Sequence, residues 1–177
     1  MRISAQQLLR ILPNAGANAG VFTPALNTAM GRYQILGVRR VAAFIAQVGH
    51  ESGQLRYVRE LWGPTPVQSR YEGRADLGNT EPGDGSRFRG RGLIQITGRV
   101  NYAECGEALD LDLISNPQML EQPEWAAKSA AWFWSIRDLN ALADVGAFDK
   151  ITRRINGGQN GAADRRVLYE RALGVLA

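Results

Sequence analysis

The sequence predicts a mainly α-helical protein with at most a small β element. Helix start and stop signals recur along the chain, and apolar residues repeat with a helical period in several segments. Only residues 63–92 form a long stretch that is rich in glycine and proline and lacks this period. A loop of that length in a compact domain is usually functional or disordered. The length of 177 residues suits one domain, which we assign to residues 1–177.

The first two helices are predicted from local signals. Ser4 with Gln7 forms a capping-box pattern, which predicts a helix over residues 4–12. Thr23-Pro24 is typical of a helix start, because proline is favoured at the first helical position. Gly37 is expected to end this second segment.

The remaining elements follow from apolar periodicity and from the positions of glycine and proline. Residues 93–97 are a short apolar run, which predicts one strand of a small sheet. Further helices are predicted from Val38, over residues 98–109, from Pro123, over residues 148–155 and over residues 162–176. Three tryptophans follow Pro123 in an apolar pattern, and we expect them to pack in the core rather than bind sugar: Trp125, Trp132 and Trp134.

Composition excludes several classes of protein. The chain has one cysteine, Cys105, and one histidine, so an internal disulfide is impossible and a zinc site is disfavoured. The two-carboxylate chemistry considered below needs neither a metal nor an organic cofactor, and we expect none. No apolar run approaches the roughly 20 residues of a transmembrane helix. The net charge of +4 comes almost wholly from scattered arginines. It indicates either an ordinary basic surface or attraction to an anionic polymer, with little support for nucleic-acid binding.

Two glutamates form the candidate catalytic pair. The apolar run over residues 41–48 leads directly into Glu51. Desolvation at the end of a buried helix is expected to raise the pKa of Glu51 and keep it protonated, as a general acid requires. Glu60 follows in a more polar setting. Two carboxylates in unlike environments are the minimum equipment for glycoside hydrolysis.

The spacing of this pair requires a turn. In one straight helix, nine residues would place Glu51 and Glu60 on opposite faces, but Gly53 makes a continuous helix unfavourable. A turn after Glu51 would bring the second acid back across a cleft. The alternative is that both acids pair with nearby arginines such as Arg56 and Arg59 and have no catalytic role.

A second polar run lies after the glycine-rich stretch. In an extended segment Gln95 and Thr97 would point to the same side, where they could hydrogen-bond sugar hydroxyls or hold a water molecule. Asn101-Tyr102 adds an amide and a phenol. The alternative is a tight turn with Thr97 as a helix N-cap.

Together these segments resemble glycoside hydrolase family 19, which comprises chitinases and phage-type endolysins. The matching motifs occur in the family's order and span about two-thirds of the chain. They are His50-Glu51-Ser52-Gly53, Glu60, residues 90–97 (GRGLIQIT), Asn101-Tyr102, Ile155-Asn156-Gly157-Gly158 and Ala163-Asp164-Arg165.

The resemblance implies a lysozyme-like helical fold with two lobes and a central cleft. It implies that Glu51 is the general acid and Glu60 the general base of an inverting reaction. Thr97 matches the hydroxyl that helps to hold the attacking water. Residues that the resemblance places along the sugar subsites or beside the acids are His50, Tyr71, Thr80, Gln95, Asn101, Tyr102, Asn156 and Arg165.

Departures from the plant chitinase pattern favour the endolysin branch, whose substrate is the glycan strands of bacterial peptidoglycan. The chain lacks the disulfide cysteines, continues with Gln54 after a single glycine, and has Val100 where many chitinases have an aromatic residue. The alternative substrate is chitin, the β-1,4-linked N-acetylglucosamine polymer. A non-catalytic wall-binding module is a further alternative, which the presence of both acids disfavours.

The N-terminal residues show no signal-peptide pattern. We expect a monomer that is made in the cytoplasm, does not insert stably into a membrane, and reaches the cell wall through a separately encoded pore. Its expected partners are peptidoglycan glycan strands or chitin oligomers, and not nucleic acid.

Overall fold

The computed structural model describes the whole chain, Met1–Ala177, as ten α-helices. They are α1 (Ala5–Ile11), α2 (Asn18–Arg32), α3 (Val38–Glu51), α4 (Pro66–Ser69), α5 (Asp84–Arg87), α6 (Arg99–Leu109), α7 (Pro123–Ile136), α8 (Leu139–Asp144), α9 (Phe148–Asn156) and α10 (Ala162–Leu176). Three short 3₁₀ segments lie between them: Pro13–Ala15, Ala75–Leu77 and Pro117–Glu121. The only β pairing consists of two isolated bridges, so the mainly α prediction is confirmed. None of the helices combines the length and apolar character needed to cross a membrane.

Helix α3 forms the centre of the core. Every residue from Val41 to Gly49 is buried, as a helix surrounded by other helices requires. Helices α10 and α8 pack against it. On another side, Phe44 meets Trp134 of α7 edge to face, with ring centroids 5.4 Å apart. The buried part of α3 therefore fixes its C-terminal end, where Glu51 lies.

The other long helices complete one connected core of 42 buried residues. Helix α2 packs against α7, α1 packs against α2 and α10, and α6 packs against α7. Trp132 and Trp134 are buried in this core, as predicted. Trp125 lies partly buried at its edge, beneath the ammonium group of Lys128.

The predicted helix starts are correct except at one point. Ser4 and Gln7 form the reciprocal capping box before α1. The start predicted at Thr23-Pro24 is wrong, because α2 begins at Asn18 and continues through the proline. The apolar period of α2 already starts before Pro24, at Ala19 and Phe22, and burial of that face outweighs the helix-start signal. Inside the helix the Thr23 hydroxyl donates to the Ala19 carbonyl at 2.6 Å.

The strand predicted at residues 93–97 is also wrong. Arg91 and Ile96 exchange two backbone hydrogen bonds of 3.1 and 2.8 Å, which closes a tight turn around the residues between them. Gly92 and Gln95 both have positive φ, +77° and +59°, which an extended strand does not allow. The apolar side chains of the run are buried by this turn instead of by a sheet.

Residues 63–92 are ordered by side-chain contacts and contain α4, α5 and one 3₁₀ turn. The Glu72 carboxylate accepts two backbone N–H groups around the start of α5, at 2.6 and 2.8 Å. The buried amide of Asn79 donates to the Tyr71 carbonyl and accepts from the backbone N–H of Arg99, both at 2.9 Å. The segment is thereby fixed against the start of α6.

Candidate active site

Glu51 lies at the last position of α3, with its side chain 20% exposed. Its Oε1 accepts a hydrogen bond from Arg165 Nη2 at 2.5 Å. The setting is therefore not the purely apolar one that the sequence indicated, because the carboxyl group faces a guanidinium group. The pairing also rules out the alternative in which Glu51 pairs with Arg56 or Arg59. Arg56 instead donates to the Gly53 carbonyl, and Arg59 lies near Glu121.

Two further acceptors inside the protein hold Arg165 in place. Arg165 is 2% exposed, and its Nη1 donates to Gln47 Oε1 at 2.5 Å. Gln47 in turn donates to the Thr152 hydroxyl at 2.9 Å, and Arg165 Nε donates to the Asn160 carbonyl at 3.3 Å. Of the two places that the resemblance implies for Arg165, along the sugar subsites or beside the acids, its burial and its bond to Glu51 fit the second and disfavour direct substrate binding. Arg165 fixes the orientation of Glu51.

The chain reverses direction directly after Glu51. Gly53, Gln54 and Leu55 all have positive φ, at +56°, +60° and +66°. Two of the three are not glycine, and such a conformation costs free energy that the surrounding structure must offset. The Ser52 hydroxyl contributes by donating to the Val48 carbonyl at 2.7 Å and accepting from the Leu55 N–H at 2.8 Å. This turn allows Glu60 to lie away from the helix that holds Glu51.

Glu60 is held by the segment around Gly90. The Gly90 N–H donates to Glu60 Oε2 at 3.1 Å, and the Glu60 N–H donates to the Gly90 carbonyl at 2.8 Å. On its other oxygen, Oε1 accepts from Gln68 Nε2 at 3.1 Å and from the Tyr71 hydroxyl at 3.4 Å. Both oxygens of Glu60 therefore face neutral donors, whereas Glu51 faces a cation. The two acids lie in unlike environments, but the contrast differs from the predicted one, because a cation faces Glu51 where the sequence indicated apolar surroundings.

Tyr71 lies beside the second acid, and contact of this residue with a substrate stays a prediction. Burial, and then the neighbouring charge of Glu60, raise the pKa of its phenol above the ordinary value. The phenol therefore stays protonated over the whole neutral range and remains a donor to Glu60. Trp62 packs on Tyr71 with ring centroids 6.0 Å apart.

The side chains of Gln95 and Thr97 pack against Gly90, the residue whose N–H donates to Glu60. A Cβ at Gly90 would lie 2.8 Å from Gln95 Oε1 and 3.3 Å from Thr97 Oγ1. The absence of a side chain at Gly90 thus allows both polar groups to lie against the residue whose N–H binds Glu60. The prediction that Gln95 and Thr97 face the same side is confirmed by this geometry, although the turn rather than a strand produces it.

Gln95, Thr97 and Asn101 also line a pocket of about 180 Å³. Its other wall is apolar and comes mainly from α7, including Trp132 and Phe133. Neither Glu51 nor Glu60 lines this pocket. The Asn101 amide donates to the Thr97 carbonyl at 2.6 Å, which fixes the residue that carries the hydroxyl. A pocket with polar groups on one side and an apolar wall on the other suits a sugar ring.

Tyr102 is not a substrate-binding residue, in contrast to the prediction. Its side chain is completely buried, and its hydroxyl donates to the Arg89 carbonyl at 2.6 Å and accepts from Arg91 Nη1 at 3.0 Å. The Tyr102 hydroxyl thereby fixes the backbone of Arg89 and the guanidinium of Arg91, the two neighbours of Gly90.

Thr80 is exposed, and its side chain makes no hydrogen bond to the residues of the site.

His50 and Asn156 connect the site to α10. His50 Nδ1 forms a 2.6 Å hydrogen bond with Asp164 Oδ2, and its ring packs against Gly161, where a Cβ would lie 2.2 Å from the ring. The Asn156 amide makes a long contact of 3.4 Å with the Asn160 carbonyl. Both side chains are partly exposed and lie near the Arg165 end of the site. Contact with a substrate stays a prediction for both.

Three site residues were not identified from the sequence. Gln68 binds the Glu60 carboxylate, Trp62 packs beside Tyr71, and Gln47 holds Arg165. Gln47 could have been noticed as the one polar side chain in the buried run of α3. Trp62 and Gln68 lie in a stretch without any periodic pattern, and nothing in their spacing relates them to Glu60. The structure contains no group of three or more His, Cys, Asp or Glu side chains that could hold a metal ion.

A helical fold with two separately supported carboxylates fits the class of glycoside hydrolases, whose reaction uses such a pair. The family model for class I chitinases of glycoside hydrolase family 19 matches residues 14–169. The chain belongs to glycoside hydrolase family 19, and it is a hydrolase with the lysozyme-like helical fold of that family.

Relatives of this family cover the chain to different extents. A family 19 glycosyl hydrolase domain-containing protein of Haemophilus influenzae is 34% identical over 96% of this chain and 94% of its own length. An endochitinase of Arabidopsis thaliana is 37% identical over 68% of this chain, which spans only 40% of that protein. The crystal structure of chitinase C from Streptomyces griseus superimposes with a TM-score of 0.78 at 28% identity, covering 98% of this chain and 76% of the chitinase.

Proposed function

We propose that the protein hydrolyses β-1,4-linked N-acetylglucosamine chains by an inverting mechanism. The observation that supports this proposal most is the contrasting environment of the two acids. Glu51 is oriented by Arg165 at the end of a buried helix, and Glu60 is bound by neutral donors around Gly90. The named relatives of known activity are endochitinases and chitinases, so a chitin-type substrate is the first candidate.

We propose a different step of the reaction for each acid. Because Oε1 of Glu51 accepts from Arg165, the catalytic proton belongs on Oε2, which would donate it to the glycosidic oxygen. Glu60 would take a proton from a water molecule that attacks the opposite face of the sugar. Thr97 would hold that water together with Glu60. An inverting reaction of this kind needs the two carboxyl groups roughly 6.5–9.5 Å apart.

Glu51→Gln tests the assignment. We expect it to abolish hydrolysis of the N-acetylglucosamine hexamer and leave the fold intact, because the amide keeps the shape of the side chain but has no acidic proton. The measurement is product formation by chromatography, with circular dichroism as the check on folding. Glu107→Gln is the matched control, since Glu107 is exposed on α6 and its carboxylate makes no ion pair.

The stereochemistry gives an independent test. Proton nuclear magnetic resonance recorded early in the reaction should show the α-anomer at the new reducing ends, because inversion converts a β-linkage into an α-product. An initial β-anomer would contradict the roles given to Glu60 and the water molecule. Normal turnover by Glu51→Gln would contradict the role given to Glu51.

Peptidoglycan glycan strands are the second candidate substrate. The observation in favour is unpaired positive charge beside the site. The Arg137 guanidinium lies 3.5 Å from the Phe133 ring centre at the pocket edge, and Arg89 also lacks an acidic partner. The test is clearing of outer-membrane-permeabilised Gram-negative cells, with mass spectrometry of the fragments and Glu51→Gln as control. New reducing sugar ends that depend on Glu51 would support an endolysin activity.

A further inference from the structure

Three arginines lie around a single acid on the Glu60 side of the site. Glu121 Oε1 accepts from Arg91 Nε at 2.8 Å, and its Oε2 lies 3.5 Å from Arg59 Nη1. Both carboxylate oxygens are therefore engaged by these two arginines. Arg89, between Gly90 and the buried Phe88, is the third cation, and no acid is left for it. The cluster of Arg59, Arg89, Arg91 and Glu121 has a net charge of +2.

Arg89 makes no hydrogen bond to any protein group with its guanidinium. Its Nε is sealed from solvent and has no acceptor, and its Cζ lies 5.7 Å from the centre of the Trp62 ring. Burial, followed by repulsion from Arg91 and Arg59, lowers the pKa of Arg89 from its ordinary value. A guanidinium that is partly desolvated, unpaired and repelled by its neighbours gains more from an external anion than a hydrated surface arginine does.

The position of Arg89 relates it to the reaction. The next residue, Gly90, binds Glu60 with its N–H and its carbonyl. The Trp62 ring beneath the Arg89 guanidinium also packs on Tyr71, whose hydroxyl donates to Glu60. Arg89 and Trp62 therefore form a charged group on an aromatic ring directly beside the general base.

We propose that the guanidinium of Arg89 binds a carboxylate of the substrate, so that among peptidoglycan strands, the second candidate substrate, those with free carboxylates are preferred over those without. The proposal rests on the proposed glycoside hydrolase function. A planar guanidinium with free Nη groups matches a carboxylate in two-point geometry, and the Trp62 ring beneath it suits the apolar face of the sugar that bears this group. The carboxylate comes from one of two sources in peptidoglycan: the lactyl ether on the sugar itself, or the peptide attached to it.

The test compares substrates that differ only in this charge. The wild-type protein, Arg89→Gln and Arg89→Lys are assayed on peptide-free glycan strands, whose lactyl carboxylate is free, and on the same strands after conversion of the carboxylates to amides. Intact peptidoglycan, where the lactyl group is amide-linked and the peptide carboxylates remain, identifies the second source. Arg10→Gln is the matched control, because Arg10 is an exposed arginine of α1 outside the site.

We expect the wild type to show a higher kcat/KM on carboxylated than on amidated strands. Arg89→Gln should reduce that ratio about tenfold through KM, since it removes one charge-assisted hydrogen-bonding group. Arg89→Lys should retain part of the ratio because it keeps the charge but not the planar fork. Arg10→Gln should leave the ratio as in the wild type.

Two outcomes would overturn the proposal. One is an unchanged ratio in Arg89→Gln. The other is an equal fall of kcat on both kinds of strand, which would mean that Arg89 acts on Glu60 and not on the substrate. The neutral N-acetylglucosamine hexamer separates this result from failure of the proposed function. A wild-type protein that cleaves the hexamer but shows no preference for carboxylated strands contradicts only the role of Arg89.

Discussion

At the scale of single residues, the contact between Arg165 and Glu51 determines how the proposed general acid is oriented. The guanidinium binds one oxygen of the carboxyl group and leaves the other free. Because Arg165 is also bound by Gln47 and by the Asn160 carbonyl, its position does not depend on Glu51 alone. The acid is thus oriented by a network that already exists before substrate binds, which is the preorganisation that efficient catalysis requires.

Removal of this guanidinium should affect both stability and activity. Arg165→Met leaves Gln47 and Glu51 without their donor, which we expect to cost about 1–3 kcal/mol of unfolding free energy. Turnover of the N-acetylglucosamine hexamer should fall on the order of 100-fold, as a misplaced catalytic group commonly causes. Urea unfolding and steady-state kinetics measure the two effects.

A neighbouring arginine provides the control for this substitution. Arg166 pairs with Asp149 at the surface, and both side chains are well exposed. Arg166→Met should change stability by less than about 0.5 kcal/mol. Equal destabilisation by Arg165→Met and Arg166→Met would contradict the role of the buried network.

In the double variant, adding Glu51→Gln to Arg165→Met should restore part of the stability, because a neutral amide needs no counter-charge.

The sequence predicted which side chains lie together at the site better than it predicted which of them are buried. Glu60, Gln95 and Thr97 come together around Gly90, and Tyr71 lies beside Glu60. Tyr102 and Arg165 proved to be internal supports, because their exposure depends on how distant helices cover them. A phenol or a guanidinium is equally able to bind a sugar or a backbone carbonyl, and only the packed structure distinguishes the two.

At the scale of elements, the turn over residues 53–55 decides where Glu60 lies. Gly53 has φ of +56°, and a Cβ there would lie 2.8 Å from Tyr57 Cδ2. We expect Gly53→Ala to destabilise the protein by about 1–2 kcal/mol, the usual cost of this backbone conformation for a residue with a side chain. It should also reduce kcat, because the adjustment of the turn shifts the second acid relative to the first.

Gly174→Ala is the comparison for this variant. Gly174 lies in α10 with open space around it, so alanine should stabilise the helix by roughly 0.5–1 kcal/mol and leave kcat unchanged. Denaturant midpoints and initial rates for both variants are the measurement. If Gly53→Ala behaved like Gly174→Ala, the turn would have no part in placing Glu60.

Element prediction succeeded where the signal was local. The capping box of α1, the start of α7 at Pro123 and the bounds of α10 follow from residues within one turn of each end. It failed at Thr23-Pro24 and at residues 93–97, where contacts with other parts of the chain outweighed the local pattern. The two bonds between Arg91 and Ile96 belong to a turn that no alternation of apolar residues reveals.

At the scale of the whole molecule, the net charge of +4 should affect the approach to an acidic polymer. Raising sodium chloride from about 0.05 M to about 0.5 M shortens the screening length from more than 10 Å to less than 5 Å. We expect kcat/KM on carboxylated glycan strands to fall over this range and kcat/KM on the neutral hexamer to stay nearly constant. Parallel salt titrations on the two substrates are the measurement, and an equal response would contradict electrostatic attraction.

The core also determines how the molecule responds to oxidants. Cys105, the only thiol of the chain, is completely buried in α6, and this burial raises its pKa to about 12. Thiolate is the form that reacts with oxidants and with other thiols, so the sulfur is inert while the protein is folded. The folded protein therefore has no disulfide bond to form or to break. A move between reducing and oxidising surroundings neither forms nor breaks a disulfide within the fold that holds Glu51 and Glu60.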